Sequence, residues 1–157
     1  KLIKELGVKD ATKEKCGVLL FIGCQYSYKP ELKKALVSAV RLLKKSGADV
    51  GILGSKELCC GAPLLELGDR DFFEAFGKEN IKRIDATGAK SVLTLCSHCA
   101  SVFAEEYAGF MDAKPAHVTQ YISEALAKGD LKAGKRAKGT VVWHDPCRLG
   151  RRRGPTV

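Results

Sequence analysis

The chain has 157 residues, of which 45% are hydrophobic and 29% are charged, a composition typical of one globular domain with a single core. No stretch approaches the roughly 18 apolar residues of a membrane-spanning helix, and the opening KLIKELGVKD lacks the apolar region of a signal peptide. We therefore expect a soluble cytoplasmic protein, or one held at the inner face of a membrane by partner subunits. Because the chain begins without Met and stops at GPTV after an arginine-rich segment, we also expect a fragment of a longer protein.

The net charge of +9 raises the question of nucleic-acid binding. Basic residues are spread along the chain, with denser groups at Lys132–Lys138 and Arg148–Arg153. Aromatic residues are not interleaved with these groups, as a base-stacking surface would require. The pattern therefore favours a solvated face, or a docking surface for an acidic partner, over a nucleic-acid site.

The first predicted strand lies within CGVLLFIGC, residues 16–24, a continuous apolar run typical of a strand buried on both faces. A helix is predicted next, from Pro30 to a stop at Gly47. Apolar side chains fall at helical spacing on one of its faces and basic side chains on the other. This segment is therefore expected to be amphipathic.

Strands and helices then alternate. ADVGILG at 48–54 predicts a second strand, a helix follows with Asp69 as its cap and Gly88 beyond its end, and SVLTLC at 91–96 predicts a third strand. Helical patterns resume in SHCASVFAEEYAGF and TQYISEALAKG, and TVVWHDPC at 140–147 is a fourth apolar run that ends in a cysteine. This order predicts a three-layer, Rossmann-like α/β domain with a mainly parallel sheet.

Seven cysteines punctuate this pattern, an odd number in a chain without an export signal. They are Cys16, Cys24, Cys59, Cys60, Cys96, Cys99 and Cys147. Thiols in the cytosol are kept reduced, so a metal-binding or catalytic role is favoured over a disulfide framework.

Five of the cysteines follow the predicted strands and are expected to meet in space. Cys24 ends the first strand, Cys59 and Cys60 follow the second, and Cys96 ends the third with Cys99 one helical turn later. The carboxyl ends of parallel strands lie at one edge of the sheet, where open α/β folds build their sites. Cys16 alone falls at the opposite end of its strand, and we expect it to be a small core residue.

The CxxC pair and the vicinal pair each place a demand on the backbone. Cys96 and Cys99 fall at the start of a predicted helix, where unpaired N–H groups and the helix dipole favour thiolate. Adjacent residues of a regular strand point to opposite faces, so Cys59 and Cys60 can serve one site only if the chain turns sharply. Gly61 permits such a turn and the proline at position 63 stiffens it, whereas a strained disulfide between neighbours is disfavoured.

Counting the thiols leaves two interpretations open. A structural zinc site takes four ligands, and a cubane iron–sulfur cluster also takes four cysteines. Five thiols therefore leave one cysteine without a role as ligand, or all five bind a cluster whose iron atoms are arranged differently from those of a cubane, with one sulfur bridging two irons.

The spacing of these cysteines resembles that of the CCG cysteine-rich domain family of heterodisulfide reductase and related iron–sulfur electron-transfer proteins. Here Cys24 is followed by 34 residues, then CCGAP at 59–63, then 35 residues before Cys96 and Cys99. In that family the motif usually occurs twice, and HDPCRLGR, which contains Cys147, is similar to the opening of a second copy. The resemblance thus implies a first CCG domain over residues 1–138 and the start of a second over 139–157.

The resemblance implies an oxidoreductase module that reduces the mixed disulfide of two thiol coenzymes at a non-cubane [4Fe-4S] cluster, together with other redox subunits. Cys24, Cys59, Cys60, Cys96 and Cys99 would ligate this cluster, and Cys147 would begin the ligand set of a second, incomplete site. An electron-transfer subunit of a lactate, glycolate or glycerol-phosphate oxidising complex is the first alternative. A zinc-binding module is the other.

Several further residues are weaker candidates for a role beside the thiols. His144 and Asp145 precede Cys147 and could support the metal centre from outside its ligands. His98 lies between two expected ligands and could tune the cluster, although a solvent-facing spacer is the more ordinary role for it. Lys56 and the arginines after Cys147 could balance thiolate charge or bind an anionic substrate, but exposed charge is the simpler interpretation.

Overall fold

The computed structural model describes residues 2–134 and 138–151 of the chain. Its central element is a sheet of five parallel strands. The strands are β1 Lys9–Asp10, β2 Val18–Phe21, β3 Val50–Ile52, β4 Ser91–Thr94 and β5 Lys114–His117. Their order across the sheet is β1-β3-β2-β4-β5. The predicted α/β class with a parallel sheet is confirmed.

Helices connect the strands. They are α1 Leu2–Leu6, α2 Gly23–Tyr28, α3 Lys33–Lys45, α4 Ala62–Leu67, α5 Arg70–Asp85, α6 Ser97–Val102 and α7 Val118–Lys128. Short 3-10 turns occur at Pro30–Leu32 and Gly54–Lys56, and π-helical turns at Phe103–Tyr107 and Cys147–Arg151. None of the helices in the described part of the chain combines the length and apolar character needed to span a bilayer.

Two hydrophobic cores, one on each face of the sheet, give the domain its three layers. Every residue of β2 is buried, because alternate side chains of this continuous apolar run enter opposite cores. Leu19 and Phe21 pack with Phe73 of α5 and its neighbours on one face. Leu20 packs with the apolar side of α3, including Leu43, on the other.

Both long helices that the sequence predicts, α3 and α5, are present, and the residues predicted to flank them lie at or near their ends. The chain enters α3 through the 3-10 turn that begins at Pro30, and Gly47 follows its end with a φ of 80°. The side chain of Asp69 accepts a hydrogen bond from the backbone N–H of Phe72 at 3.2 Å, so it caps α5 as expected.

Two strands were not predicted, and one expected apolar element lies outside the sheet. β1 and β5 have only partly buried or exposed residues, so they lack the continuous apolar run that marks β2. The run at 140–147 has no regular structure before Cys147, and Val141, Val142 and Trp143 are 83%, 89% and 64% exposed. Parts of the expected basic groups, residues 135–137, 152 and 153, lie outside the described residues.

His117 joins the last strand to the last helix. It ends β5 and caps α7, accepting a hydrogen bond from the backbone N–H of Thr119 at its Nδ1 atom, while its Nε2 atom lies 3.0 Å from the carbonyl oxygen of Leu95. Burial lowers the pKa of His117 below its ordinary value, because the charged imidazolium would lose solvation.

This pKa shift predicts a pH-dependent stability. A histidine whose folded-state pKa is depressed binds fewer protons in the folded than in the unfolded chain below about pH 6.5, so its contribution is lost as the pH falls. We expect His117→Asn, which keeps a capping side chain but cannot titrate, to lose less stability than the original protein between about pH 7.5 and pH 5.5. Denaturant unfolding at a series of pH values measures this difference, and parallel curves for the two proteins would contradict it.

Candidate metal centre

Three neighbouring strands bring the cysteine-bearing segments to one edge of the sheet. β2 lies between β3 and β4, with Val18 opposite Val50 on one side and Phe21 opposite Thr94 on the other. The segments that contain Cys24, the pair at 59–60 and the pair at 96 and 99 follow the carboxyl ends of β2, β3 and β4. The expected position of the five thiols at this edge is therefore confirmed.

The chain turns sharply after the vicinal pair, as the sequence predicted. Gly61 has a φ of 84°, and α4 begins immediately after it with Pro63 as its second residue. A Cβ atom at Gly61 would lie 2.8 Å from two carbon atoms of the Phe73 ring. Both the backbone conformation and the packing of this turn therefore require glycine.

The thiols of Cys59 and Cys99 are both hydrogen-bonded to the sulfur of Cys60. Hydrogen bonding by Cys59, and secondarily by Cys99, lowers the pKa of the buried Cys60 thiol to about 3, whereas the same interactions raise the pKa of the two donors far above the ordinary thiol value. Only one of three sulfurs held so close together can easily carry a charge. The arrangement stabilises a thiolate at Cys60 and thiols beside it.

Cys96 forms a second thiolate position at the start of α6. Hydrogen bonding by Cys99 is the largest influence and lowers the pKa of Cys96 to about 6, while burial opposes the shift. Cys96 is the N-cap residue of α6, a position at which unpaired backbone N–H groups favour a thiolate, although its side chain makes no capping hydrogen bond.

Cys24 lies at the outer margin of this group, exposed in the first turn of α2. An electrostatic interaction with Cys24 is the smallest of the named causes that act on the pKa of Cys59. Among residues 2–134 and 138–151, no three Cys, His, Asp or Glu side chains are arranged to hold a metal ion. The thiols are gathered at one edge, and a metal centre would have to bring them into its own geometry.

The donor set nevertheless suits an iron–sulfur cluster. All the gathered groups are sulfurs, and two of them favour the thiolate form that binds metal. Glycine at position 23 also leaves room beside the sulfur of Cys99, since a Cβ atom there would lie 3.3 Å from it.

Glu57 is a site residue that the sequence analysis missed. Its carboxylate accepts hydrogen bonds from the backbone N–H groups of Ile22 at 2.9 Å and Gly23 at 2.7 Å. It thus ties the loop before the vicinal cysteines to the turn that carries Cys24. Burial raises the pKa of Glu57 to about 7, although both backbone hydrogen bonds act in the opposite direction. The sequence signal is one acidic residue two positions before CCG, which does not reveal partners more than 30 residues away.

Two more missed residues hold the backbone of the vicinal pair. The Asn80 side chain donates a hydrogen bond to the carbonyl oxygen of Cys59 at 2.6 Å, and the Tyr107 hydroxyl donates one to the carbonyl oxygen of Cys60 at 3.0 Å. Both residues lie in segments whose sequences predict ordinary helices, so the sequence does not indicate that their side chains contact the vicinal cysteines.

The weaker candidates lie further out. His98 is exposed and its Nε2 atom lies 3.5 Å from Glu66, which also accepts a hydrogen bond from Arg148 at 2.7 Å. His144 is exposed, and the Asp145 carboxylate lies against Gly150. Their supporting role beside a metal centre stays a prediction.

The remaining cysteines and Lys56 also differ from the central group. Cys147 is exposed in the π-helical turn that packs on α6. Lys56 is exposed, and its carbonyl oxygen accepts a hydrogen bond from Arg83. Cys16 is 3% exposed and packs against Gly51 of β3, which confirms its expected role in the core.

Several known proteins are similar to this chain in sequence. The model of the CCG family, described as a cysteine-rich domain, matches residues 18–104. The chain is 31% identical over 148 residues to one subunit of the dihydromethanophenazine:CoB–CoM heterodisulfide reductase of Methanosarcina acetivorans, covering 90% of this chain and 36% of that protein. No solved structure matches it.

Two further relatives are similar over the same region. The chain is 31% identical over 137 residues to EtfAB:quinone oxidoreductase of Syntrophomonas wolfei, covering 87% of this chain and 19% of that protein. It is 33% identical over 144 residues to an uncharacterized iron–sulfur protein of Methanococcus maripaludis, covering 92% and 27%. The chain therefore spans between about a fifth and about a third of the length of these relatives.

The two hydrogen bonds that Glu57 accepts, here called the Glu57 clamp, should contribute measurably to the stability of the domain. In Glu57→Gln only one side-chain oxygen remains, so either Ile22 or Gly23 loses its acceptor, and we expect the free energy of unfolding to fall by about 1–3 kcal/mol. Glu124→Gln, at an exposed position of α7, is the matched control and should change it by less than about 0.5 kcal/mol. Equal effects of the two substitutions in urea unfolding would contradict the clamp.

Proposed function

Because this chain belongs to the CCG cysteine-rich domain family, we propose that it is the iron–sulfur module of a larger oxidoreductase. In this proposal Cys24, Cys59, Cys60, Cys96 and Cys99 ligate a non-cubane [4Fe-4S] cluster. The observation that carries the proposal is the convergence of these thiols beyond three neighbouring parallel strands, four of them in direct electrostatic contact. When bound, such a cluster supplies one-electron transfers that no amino-acid side chain of the chain provides.

We propose that the reaction is the reduction of a mixed disulfide of two small thiol coenzymes. The disulfide takes up two electrons and two protons, its S–S bond breaks, and two thiols leave. A partner redox subunit would deliver the electrons one at a time. The name of the Methanosarcina relative supports this reaction.

The chain's own residues would position and shield the reacting centre. Glu57 fixes the turn before Cys24, and the turn at Gly61 directs Cys59 and Cys60 towards the same centre. Cys24 is exposed, so it is the thiol through which solvent or substrate would reach this edge. The deeply buried Cys60 and Cys99 lie away from water.

Residues 139–157 belong to the same proposal as the opening of a second CCG domain, with Cys147 as its first ligand. The exposed apolar side chains of Val141, Val142 and Trp143 support this assignment, because a strand of a neighbouring domain would bury them.

A second candidate function is electron relay without disulfide chemistry. The name of the Syntrophomonas relative favours it, since that name describes an oxidoreductase that acts between EtfAB and a quinone. In this alternative the same five thiols hold the cluster, and only the acceptor differs.

Metal analysis tests the cluster. We expect protein purified without oxygen to contain iron and acid-labile sulfide in equal amounts and to give a paramagnetic resonance signal. Loss of a residue that only hydrogen-bonds to a metal ligand lowers metal affinity roughly tenfold to hundredfold. Cys60→Ser removes a ligand itself, so it should lower metal affinity by more than this. Cys16→Ala, which removes a thiol at the opposite edge, should retain the metal. One zinc per chain without sulfide would instead establish the zinc-binding module.

Single-turnover kinetics separate the two reactions. We expect the reduced protein, mixed anaerobically with a mixed coenzyme disulfide, to release two thiols for every two electrons that it loses. Free thiols and the cluster absorbance can be followed together. Oxidation by a quinone-linked partner with no release of thiols would contradict disulfide reduction and support relay.

A further inference from the structure

The carbonyl groups of the vicinal cysteines are held from outside the site by two buried donors. The Nδ2 group of Asn80 lies 2.6 Å from the carbonyl oxygen of Cys59, and the hydroxyl oxygen of Tyr107 lies 3.0 Å from that of Cys60. Asn80 is 0% and Tyr107 1% exposed. These hydrogen bonds therefore form in a low-dielectric interior, where they are stronger than in water.

The packing around Tyr107 fixes the direction of its hydroxyl group. Its ring stacks on Phe73 with a centroid distance of 5.8 Å and lies 5.3 Å from that of Phe103. A Cβ atom at Gly77 would lie 3.1 Å from Cε1 of Tyr107, so the ring fills the space that a side chain there would need. Tyr107 also ends the π-helical turn, a local departure from α-helical geometry that is frequent at functional sites.

The position of Asn80 leaves one of its two amide atoms without a hydrogen-bond partner. Its Oδ1 atom is the one buried side-chain oxygen or nitrogen without a hydrogen-bond partner among the described residues. A buried acceptor of this kind is unfavourable and rare. The amide of the same side chain donates to the carbonyl oxygen of Cys59 and lies 3.4 Å from the Tyr107 hydroxyl. An apolar residue of the same size could make neither hydrogen bond.

Each of the two peptide groups connects an outer donor to a sulfur. The carbonyl of Cys59 and the N–H of Cys60 belong to one peptide group, which joins the two Cα atoms that carry the Cys59 and Cys60 side chains. The carbonyl of Cys60 and the N–H of Gly61 belong to the next peptide group, which joins the Cα atom of Cys60 to the turn at Gly61. Donation to a carbonyl polarises the whole peptide group and makes its N–H a better donor.

We infer that Asn80 and Tyr107 are positioning residues that tune the charge at the Cys59 and Cys60 sulfurs through these two peptide groups. The inference rests on the proposed function, in that both sulfurs are taken to ligate the cluster. Hydrogen bonds to ligating sulfurs are among the factors that set the potential of an iron–sulfur cluster. Uptake of one electron adds one negative charge, so polarised peptide groups beside the sulfurs favour the reduced form and raise the reduction potential.

The test is a redox titration of the anaerobically purified protein, with dithionite as reductant and paramagnetic resonance as readout. Tyr107→Phe keeps the ring and removes only the hydroxyl group. We expect it to shift the midpoint potential to a lower value. Tyr121→Phe, which removes a hydroxyl group that contacts Ser46 on the other side of the sheet, is the matched control and should leave the potential unchanged. Equal potentials in all three proteins at full iron content would overturn the inference.

A second measurement covers the case in which Tyr107→Phe does not retain its metal. Replacing the four tyrosines by 3-fluorotyrosine strengthens each hydroxyl group as a donor and leaves the contact in place. We expect the potential to rise, and to rise equally in the Tyr121→Phe background. An unchanged potential in the fluorinated protein would overturn the inference.

A third measurement distinguishes failure of the inference from failure of the proposed function. Protein that binds neither iron nor sulfide would refute the cluster. In that metal-free protein the carbonyl ¹³C resonance of Cys60 still reports the contact, because loss of a hydrogen bond moves it upfield. An upfield shift in Tyr107→Phe supports the polarisation of this peptide, and an unchanged resonance overturns it.

Discussion

The parallel pairing of β2 between β3 and β4 is the constraint on which the rest of the structure depends. The run VLLF is buried on both faces, so it can lie only at the centre of the sheet, with a layer of helices on either side. Because its two neighbours run in the same direction, all three leave the sheet at the same edge. Thiols separated by more than 70 residues are brought together by this geometry alone.

Once the strands end, the backbone must satisfy its polar groups without a ladder partner. Glu57 accepts from two N–H groups of the turn after β2, and Asn80 and Tyr107 donate to the carbonyls of the vicinal pair. These backbone groups are therefore paired by side chains from distant parts of the chain. The same contacts fix where the sulfurs lie, so the stability of the loops and the geometry of the site have a common origin.

The sequence predicted those features that extend over many residues or follow a strong local rule. The apolar runs of β2, β3 and β4, the cap at Asp69 and the turn at Gly61 belong to this group. β1 and β5 could not be predicted, because short and half-exposed edge strands have no hydrophobic period. The run at 140–147 has the composition of a buried strand, and no strand of the described sheet lies beside it.

The site residues divide in the same way. Cysteine spacing identified all the thiols at the sheet edge, because their positions follow from strand ends. Glu57, Asn80 and Tyr107 act through partners 21 to 47 residues away, a distance at which no periodicity or local motif operates. The π-helical turn that carries Tyr107 adds a change of direction that helical spacing does not foresee.

The two sides of β2 are unequally joined. Four residue pairs connect it to β4, but only two connect it to β3, whose other neighbour is the two-residue β1. Opening along the line between β2 and β3 would therefore break fewer ladder pairs than opening between β2 and β4. Such an opening would separate the vicinal cysteines from the CxxC pair while the remainder of the sheet stays folded. The bonds from Glu57 to Ile22 and Gly23 cross that line, and they join the segments that follow β3 and β2 where the ladder between the two strands is short.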